Sequence, residues 1–313
     1  MSKKTEDALR AFHEFMDKNM DDDMTEDDLN RLSKQFINEY NGQIRMNVTE
    51  KSAKTSADYL ELAENTTGKT KKLQYVKKAL ELDPDNFDAE IMLVDLTSKT
   101  LNEELAKYEE AVERATDVMK KKGLMTKDDI GDYWLLIETR PYMRLRYEYI
   151  RLLIGCGKFR KAADECKELL RLCKTDNLGV RYTLMHIYAH LEMENEALRL
   201  FKKFDGSDET QMLLPMAILY YKVGKLDIAK KYLTELVTLN KDTKKFIKDL
   251  ITSAKDNDPF DDIGFGYAPN SYEELSFDLQ ENSFLFVLCT PFLEWADEQL
   301  KRKRKSNKDT GNE

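Results

Sequence analysis

Three stretches in the middle of the chain repeat one pattern at a spacing of about 34 residues, the mark of stacked helical hairpins rather than of a single-core enzyme. Gly157-Lys158-Phe159-Arg160-Lys161-Ala162 runs on to Leu169. Met193-Glu194-Asn195-Glu196-Ala197 runs on to Phe204, and Gly224-Lys225-Leu226-Asp227-Ile228-Ala229 to Leu236. Ala162, Ala197 and Ala229 fall 35 and 32 residues apart, which places each as the small residue where paired helices touch. Such an array points toward binding, and it needs no domain break over 313 residues because each unit touches only its neighbours.

With 12 Gly and 6 Pro against 35% charged residues, the chain lacks the turn chemistry of a many-stranded sheet and is expected to be all-α. A net charge of −9 repels phosphate backbones and anionic lipid surfaces, so nucleic acid and membrane are not expected partners. The run Lys301-Arg302-Lys303-Arg304-Lys305 opposes that balance locally and is expected to be a basic disordered tail. No apolar signal core follows Lys3-Lys4 and nowhere do 18 apolar residues run together, which implies a cytoplasmic protein. Cys156, Cys166, Cys173 and Cys289 are then expected to remain thiols.

Four regions follow from the patterning. Residues 1–50 hold a helical hairpin and linker, with one stripe of Leu9, Phe12, Phe15 and Met16 and a second of Leu29, Leu32, Phe36, Ile37 and Tyr40, the latter ended by Asn41-Gly42. Residues 51–255 hold the helical repeats. Within them the spacing predicts helices over 87–97 and 102–122, and a short helix from Thr126 through Glu138 before Pro141 resets the chain. Residues 256–300 form a loop that packs and then capping helices, with Ser271 and Glu274 as a capping box. Phe284 to Cys289 fits a buried helix or a short strand equally well. Residues 301–313 are the tail.

The repeats resemble the tetratricopeptide-repeat (TPR) family. In the repeat at 210–243, Leu213, Met216, Ala217, Tyr220, Gly224, Ala229, Leu233 and Leu236 occupy the family's positions 4 to 27. The corresponding residues at 178–209 are Arg181, Leu184, Met185, Tyr188, Glu192, Ala197, Phe201 and Phe204. At 143–176 they are Arg146, Tyr149, Ile150, Leu153, Gly157, Ala162, Cys166 and Leu169, so that Arg stands at position 4 in two repeats where the family has Trp. Strings such as Ile137-Glu138-Thr139-Arg140-Pro141-Tyr142 also look like bacterial TPR proteins without assigned activity. The resemblance covers about 55–252 and implies a right-handed superhelical solenoid of antiparallel helix pairs, with a helical N-terminal extension and a C-terminal capping region.

In that family the first helix of each pair lines a concave groove. The carry-over places Arg144, Tyr147 and Arg151 there from one repeat, Tyr182 and His186 from the next, and Ile218 and Tyr221 from the last. Arg and Tyr anchor binding surfaces, since a guanidinium meets a carboxylate as a fork and Tyr adds contact area with few rotamers to freeze. The expected function is a non-catalytic adaptor that holds a peptide or helix of another protein, one bearing acidic or carboxylate groups. The bland alternative is that these side chains pair with the abundant Asp and Glu of neighbouring helices.

No cofactor or metal is expected. His186 and His190 lie at i and i+4, but Met185-His186-Ile187-Tyr188-Ala189-His190 lacks the acid of a zinc hydrolase, and His13 stands apart. Gly264-Phe265-Gly266 has no strand before it and no helix directly after it. Two rival readings remain: a self-associating scaffold that buries Phe284 to Leu288 or the N-terminal stripe against a second copy, and an enzyme with its site in 256–300. Oligomeric state is open at this level.

Overall fold

The computed structural model describes residues 6, 9, 11, 12, 15, 16, 18–21, 24–42, 48–252 and 267–309. Among these residues the chain is all-helical with no strand, and its helices pack pairwise. Two compact units separate: Met1–Cys156 with Arg171–Thr175, and Gly157–Leu170 with Asp176–Glu313. No helix among the described residues is long and apolar enough to cross a membrane.

The first unit holds α1 (Glu26–Gly42), α2 (Ser56–Glu64), α3 (Lys69–Leu82), α4 (Phe87–Thr97), α5 (Leu101–Lys121) and α6 (Arg140–Gly155). Local chemistry sets their starts. Thr55 and Asp58 form a reciprocal capping box at α2, while the side chains of Asn86 and Thr100 accept the first free amides of α4 and α5. Helix α2 pairs with α3 and α4 with α5, and α6 lies against both members of the second pair. The aromatic stripe of the N-terminal segment folds onto α1, with Phe12 and Phe15 ring centroids 5.1 and 5.5 Å from Phe36.

Residues 126–138 depart from the expected short helix. Gly131 takes φ +118°, outside the helical region, and its amide and that of Tyr133 both donate to the Leu172 carbonyl at 2.9 and 3.1 Å. Lys174 N returns a bond to Gly131 O at 2.8 Å, so these amides are spent on a distant segment and only a 3₁₀ turn, Ile137–Thr139, remains.

The second unit holds α7 (Phe159–Leu172, whose last two residues cluster with the first unit), α8 (Val180–His190), α9 (Glu194–Lys203), α10 (Thr210–Lys222), α11 (Leu226–Leu239), α12 (Thr243–Thr252), α13 (Tyr272–Glu281), α14 (Ser283–Val287) and α15 (Thr290–Asp309). Helix α8 pairs with α9, α10 pairs with α11, and α8 also packs on α10. Gly157, Glu192 and Gly224 have φ of +71°, +58° and +75°. Each turn therefore uses a left-handed residue, which costs Glu192 about 1 kcal/mol that glycine does not incur. Ala162, Ala197 and Ala229 are fully buried, as their spacing predicts.

Downstream, Ser271 Oγ accepts from Glu274 N, but the Glu274 carboxylate accepts from Asn270 N rather than Ser271 N, so the expected capping box is offset by one residue. The Phe284 to Cys289 run contains the short helix α14, and α15 continues through the basic run to Asp309. Gly264-Phe265-Gly266, the loop 256–266 and His13 lie outside the described residues.

Candidate functional site

The seven candidate residues divide between the units. In the first, α2, the start of α4, and α6 line a cavity of about 290 Å³. Its apolar floor is Ala57, Leu60 and Pro141, and its rim carries Glu6, Glu61, Glu64, Asp83, Asp85, Asp88 and Glu138 against Lys122 and Arg144. Arg144 lies between two carboxylates. Its Nε and Nη2 donate to Asp88 at 2.8 and 2.7 Å, a bidentate fork, and its Nη1 donates to both oxygens of Glu6 at 3.1 and 2.9 Å. Burial opposes the guanidinium charge, yet Asp88 and Glu6 hold its pKa above the ordinary arginine value. Beneath it the buried Arg140 donates through Nε to the Trp134 carbonyl at 2.8 Å and reaches Glu6 at 3.5 Å.

Tyr147 is half-buried and engaged within the protein. Arg151 is exposed, and Glu148 lies 3.8 Å from its guanidinium one turn earlier. The two position-4 arginines also find local partners. Arg146 is buried and donates to Tyr142 Oη at 2.9 Å, while Arg181 pairs with Asp176 at 2.9 Å and Glu209 at 2.8 Å.

In the second unit the four candidates lie on α8 and α10, and that face is covered by the chain's own C-terminal helices. His186 is fully buried: its Nδ1 lies 2.8 Å from the Tyr182 carbonyl and its Nε2 3.1 Å from Asp278 Oδ2 on α13. Asp278 Oδ1 accepts from Asn282 Nδ2 at 3.0 Å. Ile218 is fully buried in α10. Tyr221 packs against Phe292 and Trp295 of α15, with centroids at 5.6 and 5.3 Å. Tyr182 lies under the Arg181 guanidinium, 4.2 Å from its centroid, and burial pushes its hydroxyl pKa up.

His190 does not share a ligand with His186. Its ring sits 4.2 Å from Phe159 and 5.6 Å from Phe284, and burial followed by the Lys222 ammonium holds its pKa below the usual histidine value. No group of three His, Cys, Asp or Glu among the described residues is placed to hold a metal.

Two acids that the spacing argument passed over organise these faces: Glu6 and Asp278. Both carried a signal. Glu6 precedes Leu9 and Phe12 at intervals of three, and Asp278 follows Leu275 by three, so each is an acid in register with an apolar stripe. A charge on the buried face of a helix requires a partner. No family model matches this chain and no curated protein matches it, so the repeat resemblance rests on the chain's own residues.

Proposed function

We propose that the chain is a cytoplasmic, non-catalytic adaptor of TPR type, whose first helices bind a helix or peptide of another protein through a carboxylate. The observation that carries this reading is the Glu6–Arg144 contact. It joins residues 138 apart in sequence and sets the Glu6 carboxylate against Arg144 Nη1, at the edge of the cavity on α2, α4 and α6. The apolar floor provides contact area, and the acidic rim selects ligands that bring cations alongside the carboxylate.

A displayed library of 16-residue peptides, selected on the full-length chain, tests this. The expected outcome is an enriched set sharing one acidic position flanked by Lys or Arg. Affinity should fall about tenfold for Arg144→Lys, which keeps the charge but loses the Nη1 donor that the Asp88 fork holds in place. An unenriched library, or enriched peptides indifferent to Arg144→Lys, refutes the proposal.

The self-association reading keeps one specific support: Val287 and Leu288, at the end of α14, are 69% and 70% exposed. Light scattering on the wild type and on Val287→Asp/Leu288→Asp distinguishes it, because a monomer in both removes that reading.

A further inference from the structure

We infer that the N-terminal segment is a built-in occupant of the Arg144 face, so that a partner helix of the same chemistry, a carboxylate preceded by cationic side chains, binds by displacing it. This rests on the adaptor reading and adds its regulation. The Glu6 carboxylate is 3% exposed and gives both oxygens to the Arg144 Nη1. Asp88 holds the other edge of the guanidinium, at 2.7 and 2.8 Å. Withdrawing Glu6 therefore leaves Arg144 anchored to α4 by its fork while Nη1 loses its two acceptors. What remains is a positioned donor at the edge of a preformed cavity of about 290 Å³.

Apart from Lys122 the other charged residues lining that cavity are acidic, Glu61, Glu64 and Glu138 among them, so a bare carboxylate is repelled on approach and one accompanied by cations is not. The chain's own sequence has this pattern, because Lys3 and Lys4 precede Glu6 with only Thr5 between. Glu6 also stands three residues before Leu9, on the stripe that continues to Phe12 and Phe15 and folds against α1 through Phe36. The segment thus brings its own apolar anchor and presents its acid to the second element as a ligand helix does.

A fluorescein-labelled peptide of residues 1–19 of this chain, titrated by anisotropy into the full-length protein, tests the inference. Glu6→Ala protein should bind this probe at least about tenfold more tightly than wild type, because the internal copy no longer competes. A probe carrying Glu6→Gln should lose that gain. Equal affinity of wild type and Glu6→Ala for the probe overturns the inference, as does a gain that survives in the Glu6→Gln probe.

Should Glu6→Ala lose helicity by circular dichroism, Glu6→Gln protein, which keeps the side-chain volume and removes only the charge, is measured in its place. Loss of fold in both marks Glu6 as a structural strut and also overturns the inference. Failure here alongside library ligands that depend on Arg144 leaves the adaptor reading standing. Probe competition without any library ligand sinks the adaptor reading alone.

Discussion

Replacing Asp278 with Ala is the sharpest perturbation of the second unit. Asp278 and His186 are both fully buried and 3.1 Å apart, and the second Asp278 oxygen takes the Asn282 carboxamide at 3.0 Å. Alanine strands both donors where water does not replace the lost acceptor. Each buried polar group left without its partner costs about 1–3 kcal/mol, so the two together cost about 2–6 kcal/mol against a typical domain stability of about 5–15 kcal/mol.

With a urea slope near 2 kcal/mol per molar, the midpoint of unfolding should fall by about 2 M. The two tryptophans make the measurement local, since Trp134 belongs to the first unit and Trp295 to the second. Urea titration followed by fluorescence in a Trp134→Phe background therefore reports the unit in question. The double variant His186→Leu/Asp278→Leu should lose clearly less than the sum of its single variants, because neither His186 nor Asp278 is left facing a missing partner and only the Asn282 carboxamide is stranded. A midpoint shift under about 0.5 M for Asp278→Ala, or strict additivity in the cycle, would refute the claim that this pair fastens α13 to α8.

Three further outcomes follow. Glu192→Gly should raise second-unit stability by about 0.5–1 kcal/mol in the same urea assay, since the +58° turn suits glycine and only an exposed contact with Lys222 at 3.6 Å is lost; a loss of stability would show that the turn is not strained. Ala197→Leu should cost at least about 1–3 kcal/mol by thermal melting, because the position is fully buried where α9 meets its neighbours; a neutral result would show unfilled space there. His190 is held below its ordinary pKa, so the folded protein binds fewer protons than the unfolded chain between that lowered value and about 6.5, and stability from this residue is lost on acidification through that window. Glu274 and Asp176, which burial pushes upward, act with the opposite sign, so the comparison is between wild type and His190→Phe: the variant should lose less stability from pH 7.5 to 5.5, and identical losses would contradict the assignment.

The helices were legible because their rules are local. The 3.6-residue stripe of α1 and the Ser271 start of α13 each depend on neighbours within a few residues. The alanines at the helix contacts were legible for the same reason. The stretch 126–138 was not, since its amides answer to Leu172 and Gly131 leaves the helical region to reach it.

The amino-acid sequence by itself determined an all-helical chain, and which face of each helix is apolar. Only the tertiary structure decided what those faces meet. Arg144 is answered by Asp88, 56 residues away, and by Glu6, 138 away; His186 is answered by Asp278, 92 away. A helix's own periodicity states that a buried charge needs a counter-charge, but not which distant residue supplies it. That choice is made when packing removes the charge from water and leaves one geometry in which both partners are satisfied.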